Sequence, residues 1–267
     1  MIRINSPEDI VAIRKASAIV AETLDMIGWH IQEGVSTERL NKICHDFIVS
    51  KGAVPAAFGY NHFPKSITTS VNHISGHGLP RNCDVWDGDV CLVGILRDGD
   101  TLNVDVAVIF EGHYGDSSRM YCVGKPSPEH RFLNDAAKLC LVAGIKAVKA
   151  GAYFSDIGAA IQKKVGEINK FSPYPPIAII KDTFGHGVGK KFHDAPIIPH
   201  YKGKRGTKMQ AGMVFTIEPC ICAGKPETVL TYDGWTKATK DGSRTAQWEH
   251  TILVTEDGYE ILTKSAK

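Results

Sequence analysis

The chain has 267 residues, 43% hydrophobic and 22% charged, close to globular averages, which excludes extended disorder and fibrous repeats. With 31 basic and 29 acidic residues the net charge is +2, too balanced for a nucleic-acid footprint. No run approaches the ~18 apolar residues of a membrane span, and the start from Met1 to Ser17 carries charges in place of a signal peptide's apolar stretch.

Ser6, Pro7, Glu8 and Asp9 read as an N-cap, a proline at the first helical position and acids in the first turn. Ile10, Ile13, Val20, Leu24 and Ile27 follow at helical spacing, and Gly28 can end that helix. A second helix is expected from Ser36 and Thr37, with Leu40, Ile43, Cys44, Phe47 and Ile48 on one face. From Ser66 to Tyr121 short β-rich runs alternate with glycine, the longest being Thr101 to Ile109. Helical spacing returns at about 129–149 and 155–169, and strands and loops follow from Pro173. Helices on one side and antiparallel hairpins on the other predict an α+β layer fold. Seven cysteines, at 44, 83, 91, 122, 140, 220 and 222, form no C-x-x-C pair. Reduced thiols in a cytoplasmic protein are therefore expected, not a disulfide framework or a zinc knuckle.

The order reads as one motif set used twice. Gly34 to Leu40 matches Gly151 to Ile157, each leading into an amphipathic helix. His77 and His193 both open a His-x-x-Pro element, and the strands ending at Asp105 and Glu218 correspond. The offsets are 117, 116 and 113 residues, so order is kept with small indels. A single catalytic domain, 1–267, with halves at roughly 7–125 and 126–260 is expected, each half bringing a His and a carboxylate strand to a shared seam.

Asp105 and Asp116 flank a hairpin whose tight loop is Glu111 and Gly112. If Phe110 pairs with His113, residue 107 faces residue 116, and the two aspartates become diagonal neighbours on one face. A one-residue slip would separate them. Two bare carboxylates on one apolar-flanked face repel unless a cation bridges them. As a pair alone they also fit solvated hairpin acids. In the second half, Phe184 to His193 sets His186 and His193 among glycines, whose small size allows close approach of a metal or substrate. A phosphate cradle is the rival for such a loop, but neither the dinucleotide nor the P-loop spacing is present. Glu218 and Glu249 lie in apolar strand contexts, where a charge is expensive unless paired or ligated. Four carboxylates with one imidazole suit two Mn, Fe, Co or Zn ions and argue against a thiolate site. Any one of these glutamates alone would fit a buried ion pair.

Ser70 to Pro80, Asn103-Val-Asp105, Gly115-Asp116-Ser-Ser-Arg, Gly185-His186-Gly-Val-Gly, Phe192-His193, Thr216-Ile-Glu218-Pro and Gln247-Trp-Glu249-His closely resemble the type I methionine aminopeptidases over nearly the whole chain. The resemblance implies the pita-bread fold, two pseudo-symmetric αβ halves around a central antiparallel sheet with helices on its outer side. It implies Asp105, Asp116, His186, Glu218 and Glu249 as ligands of two divalent cations, Asp116 and Glu249 bridging. It further implies His77 and His193 as substrate contacts, and Tyr60, Phe63, Phe192 and Trp235, with Ala57, as a methionine pocket. Scattered aromatics on their own more often belong to a core. Thr68 stands where many relatives have cysteine. The stretch from His77 to Asp105 is longer than usual and holds two similar segments, Trp86 to Val90 and Arg97 to Thr101, so Asp89 competes with Asp105. Only Asp105 has the Asn-x-Asp context.

The implied activity is a metal-dependent methionyl aminopeptidase: removal of the first methionine from nascent proteins and peptides, preferring a small second residue. Glu218 would move a proton, His193 steady the scissile amide as charge develops, and His77 hold the substrate. The partners expected are methionyl peptides and nascent chains, with no nucleic acid, no membrane and a monomeric chain. No basic N-terminal extension or zinc module marks a ribosome contact, which stays open. Proline-directed peptidases on the same fold are the nearest alternative, but they carry an additional N-terminal domain, whereas the first helix here begins at residue 7. The type II methionine enzymes carry an insertion for which the 25 residues from His193 to Glu218 leave little room. A metal-free binding protein is a third reading, opposed by the presence of all five candidate ligands.

Overall fold

Ser6 sets the entry of the first helix: in the computed structural model, which describes residues 2–265, its hydroxyl accepts from the Asp9 N–H at 3.2 Å. That helix, α1, spans Pro7–Ile27. Helix α2 (Thr37–Ser50) starts the same way, with Ser36 accepting from the Arg39 N–H at 3.1 Å. The expected boundaries of the later pair shift slightly. Helix α3 (Pro128–Lys146) closes three residues before 149, because a turn follows in which the Ala152 N–H donates to the Lys149 carbonyl at 3.2 Å and Gly151 takes a φ of +85°. Helix α4 (Phe154–Phe171) is entered by Tyr153, whose N–H donates to the Asp156 carboxylate at 2.8 Å.

Strands β1 (Val54–Pro55), β2 (Thr68–Val71), β3 (Ile74–Gly76), β4 (Val85–Asp87), β5 (Val90–Leu92), β6 (Thr101–Phe110) and β7 (His113–Cys122) precede α3. After α4 come β8 (Ala178–Ile179), β9 (Phe184–Gly187), β10 (Asp194–Pro199), β11 (Val214–Ile217), β12 (Cys220–Cys222) and β13 (Thr228–Leu230). The last four are β14 (Lys237–Thr239), β15 (Thr245–Gln247), β16 (His250–Val254) and β17 (Tyr259–Ile261). All pairings are antiparallel. Strand β6 carries β1 and β2 on one edge and β7 on the other, and the second half builds the order β10-β9-β11-β16-β17. The extra segment after His77 folds back as the separate ribbon β4–β5.

The two sheets meet along β7. The Glu249 N–H donates to the Ser118 carbonyl at 3.1 Å, the Ser117 hydroxyl to the Glu249 carbonyl at 2.5 Å, and the Thr251 hydroxyl to the Asp116 carbonyl at 2.6 Å. Helices cover the outer faces. Leu24, Ile27, Leu40 and Ile48 pack with Leu102, Val104 and Val106 in one core, while Leu141, Ile145, Ile157 and Ile161 pack with Phe215 and Ile217 in another. Alternation along β6 therefore spends its even residues on the helices and turns Asn103, Asp105 and Ala107 the other way. The mixed helix and antiparallel sheet is the pita-bread fold expected from the sequence. Met1, Ala266 and Lys267, which the expected 1–267 boundary includes, lie outside the described residues. No helix among the described residues is long and apolar enough to cross a membrane.

Candidate active site

The β6–β7 hairpin has the register its sequence predicts. Phe110 pairs with His113 and Ala107 with Asp116, and Glu111 and Gly112 turn the chain with φ of +49° and +74°. Asp105 lies opposite Ser118, so the Asp105 and Asp116 carboxylates share a face as diagonal neighbours. They enter a cavity of about 720 Å³ together with His186, Glu218 and Glu249. His77, His193, Tyr60, Phe63, Thr68, Phe192, Trp235 and Ala57 line the same cavity, so every residue singled out for the site reaches it. Asp89 does not: it is exposed in the β4–β5 turn.

Glu218 and Glu249 differ from the expectation in one respect. Neither sits within a strand. Glu218 occupies the break between β11 and β12, and Glu249 the break between β15 and β16. A chain that leaves one sheet for another is freed from strict alternation, which re-aims the side chain into the cavity. His186 lies inside β9, His193 just before β10, and His77 just after β3 with a left-handed φ of +52°. The glycines around His186 also have a role other than the one expected. A Cβ on Gly185 would come 2.3 Å from the Thr216 carbonyl oxygen, and one on Gly187 2.2 Å from that of Ala195. These glycines let β9 lie between its neighbours, and Gly185 also lines the cavity.

Burial is the largest influence on each of the four carboxyl groups, and it raises the pKa of Asp105, Asp116, Glu218 and Glu249. Repulsion adds to this: the charge of Asp105 bears on Asp116, Glu218 and Glu249 alike. Burial also lowers the imidazoles, His186 to about 3 and His193 to about 4, and lowers His77, which is open to the cavity yet enclosed by protein around it. Neutral His186 is thus an available lone-pair donor. Its Nε2 stands 3.5 Å from Asp116 Oδ2 and 3.7 Å from Glu218 Oε1, too far for hydrogen bonds and spaced as ligands about a common centre. Ligand atoms of Asp116, His186 and Glu249 all lie within 4.8 Å of one another. A divalent cation fits this oxygen-rich set, because it removes the repulsion that burial intensifies.

Several contributors have no local sign in the sequence. The Tyr60 hydroxyl lies 3.0 Å from His193 Nδ1. The Thr216 hydroxyl accepts from the His186 N–H at 3.0 Å and donates to Glu218 Oε1 at 2.7 Å, linking two of the candidate ligands. Gln247 Nε2 donates to the Glu218 carbonyl at 3.2 Å and to Oε2 at 3.3 Å. His200, wholly buried with a pKa lowered by burial to about 3, accepts the Glu218 N–H at 3.1 Å. Spacings of two residues, in Thr216-Ile-Glu218 and Gln247-Trp-Glu249, are the only signal for Thr216 and Gln247. Aromatic packing lines the same cavity: Phe63 meets Trp235 edge-on at 5.1 Å and Tyr60 meets Phe192 at 4.9 Å.

Buried carboxylates and an imidazole gathered at the seam of two antiparallel sheets, beside an aromatic pocket, define a metal-dependent hydrolase. The chain belongs to the metallopeptidase family M24, whose profile matches residues 11–256. It is 46% identical over 259 residues to a methionine aminopeptidase A of Synechocystis, covering 97% of this chain and 96% of that one. The crystal structure of methionine aminopeptidase from Rickettsia prowazekii superposes with a TM-score of 0.90 at 43% identity, covering 99% of this chain and 100% of the other. A prolidase from Pyrococcus furiosus, 22% identical with a TM-score of 0.73, shares the fold; this chain covers 66% of it.

Proposed function

We propose that this protein removes the N-terminal methionine from peptides and nascent proteins whose second residue is small, by hydrolysis assisted by two divalent cations. The observation that carries the reading is the convergence of Asp105, Asp116, His186, Glu218 and Glu249 on one wall of an aromatic-lined cavity. Its relatives named methionine aminopeptidase match over nearly the full length of both chains, which supports the substrate class.

The five residues would hold the cations, and Mn, Fe, Co and Zn all suit the donor set. When bound, the cations supply the positive charge that lowers the pKa of a water and polarises the scissile carbonyl. Glu218, steadied by Thr216 and Gln247, takes the proton and passes it toward the leaving amine. With the Tyr60 hydroxyl donating to Nδ1, His193 carries its proton on Nε2 and offers it to the amide oxygen as charge builds there. His77, which lines the same cavity, holds the peptide. Phe63, Trp235, Tyr60 and Phe192 receive an unbranched thioether side chain through dispersion and sulfur–aromatic contacts. Thr68, opposite Asp105 across the β2–β6 pairing, couples the floor of this pocket to the strand that carries a ligand.

One catalytic domain with halves at roughly 7–125 and 126–260 accords with the two helix-covered cores, one in each half. A cytoplasmic site of action accords with seven free thiols. The test is a peptide panel, Met-Ala-Ser, Met-Lys-Ser and Leu-Pro-Ala, with Mn or Co added to chelated enzyme. Cleavage of the first, weak cleavage of the second and none of the third is expected. Preference for Leu-Pro-Ala would move the protein to the proline-directed branch of the fold.

A further inference from the structure

Glu218 stands where a strand pairing is lost. The ladder between β9 and β11 is a single pair, Phe215 opposite Gly187, and β11 ends at Ile217. Pro219 follows, with no N–H of its own, and β12 then joins a different sheet with β15 and β8. The Glu218 amide therefore has no strand to donate to, and the imidazole of His200 receives it at 3.1 Å.

We propose that His200 is a positioning residue for Glu218, its Nε2 standing in for the missing strand partner and so fixing the direction of the Glu218 carboxylate. The assignment rests on the reading of Glu218 given above. An Nε2 that accepts a backbone N–H cannot carry a proton, which places the ring proton on Nδ1. That Nδ1 is buried and has no hydrogen-bond partner among the described residues. An apolar side chain would fill the space without orphaning a donor, so packing alone does not account for an imidazole here. The route to Glu218 is built as well. Ile198 lies opposite Gly185 across β9–β10, and His200 follows two residues on, on the same buried face. A Cβ on Gly185 would sit 3.4 Å from His200 Nε2, in contact with the ring. With the amide held by His200, the carbonyl by Gln247 and the carboxylate by Thr216, every polar group of Glu218 has a partner, and among the described residues only His200 binds its amide.

His200→Leu removes the acceptor; His200→Gln restores one, since its Oε1 reaches about as far as Nε2. Mn affinity of the chelated protein by calorimetry, steady-state kinetics on a methionyl peptide and thermal unfolding are measured for both, with Glu218→Gln as control. For His200→Leu we expect a 10–100-fold weaker Mn affinity and a comparable fall in kcat, with KM moving less than about threefold. His200→Gln should recover most of both. Wild-type Mn affinity and kcat in folded His200→Leu would overturn the proposal, as would a folded His200→Gln no better than His200→Leu. If His200→Leu does not fold, His200→Gln decides alone: near-wild-type values support the role and a loss like that of Glu218→Gln overturns it. A Glu218→Gln variant that keeps full Mn affinity and turnover would instead sink the reading of Glu218, whatever the His200 variants do.

Discussion

The Tyr60 hydroxyl and His193 Nδ1 stand 3.0 Å apart, although 133 residues separate them in the chain. In the proposed mechanism one residue serves the side-chain pocket and the other the chemistry, so the contact would join recognition to catalysis. A Tyr60 hydroxyl that donates in this contact puts the imidazole proton on Nε2, the assignment on which the proposed role of His193 rests. Tyr60→Phe keeps the ring against Phe192 and removes only the hydroxyl. A fall in kcat of about 10-fold, roughly 1.4 kcal/mol, with KM within about twofold is expected from steady-state kinetics. A change in KM alone would mean that the hydroxyl serves binding and not His193.

In the proposed mechanism His193→Ala removes a donor that acts as charge develops. Turnover should fall by roughly 10²–10³, with a much smaller change in KM. Metal stoichiometry by elemental analysis should be unchanged, since Asp116, His186 and Glu249 lie together without it. Loss of one metal equivalent would make His193 a ligand.

Asp105 and Asp89 sit in similar sequence contexts but in different surroundings. Asp105→Ala should weaken metal binding and cut turnover by at least about 10²-fold, as expected when a group holding a catalytic metal is removed. Asp89→Ala alters an exposed ribbon turn and should shift stability by no more than ~0.5 kcal/mol and activity by less than twofold. Reversed effects would contradict both the hairpin register and the site.

Metal loading should matter more as pH rises. Asp105, Asp116, Glu218 and Glu249 have folded-state pKa values above the ~4 of the unfolded chain, so the metal-free folded protein keeps protons that the unfolded chain has released. Its stability therefore declines from about pH 5 toward pH 8 as those groups are forced to ionise. A cation takes the place of the protons and cancels the loss. Buried His200 and His250, lowered to about 3 and about 4, cost stability below pH ~6.5 in loaded and chelated protein alike and drop out of the difference. The Tm gap between Mn-loaded and chelated protein should be wider at pH 8 than at pH 5.5 by scanning calorimetry. A gap that narrows with pH would contradict this account.

Helix starts were legible because Ser6 and Ser36 cap with their own side chains, a signal contained within four residues. The β6–β7 register was legible for the same reason, since Glu111 and Gly112 admit one tight turn between alternating strands. The placement of Glu218 and Glu249 was legible only in part: their residue types marked them, but the sheet changes beside them depend on pairings with distant strands. His200 and the Tyr60–His193 contact were not legible at all, because no local period records a hydrogen bond across 18 or 133 residues. The second role of Gly185 and Gly187 was not legible for a related reason: what else a missing Cβ makes room for is decided by the neighbouring strand.

Strand β7 pairs with β6 on one side, and on the other it is closed by groups at Glu249 that arrive 132 residues after Ser117. At ~5–20 residues per second of synthesis, that leaves the emerging first half with an open edge for on the order of ten seconds. Such an edge can recruit another strand, including that of a second unfinished copy. The seam that makes the centre is therefore also an edge that stays uncovered until the last strands are synthesised.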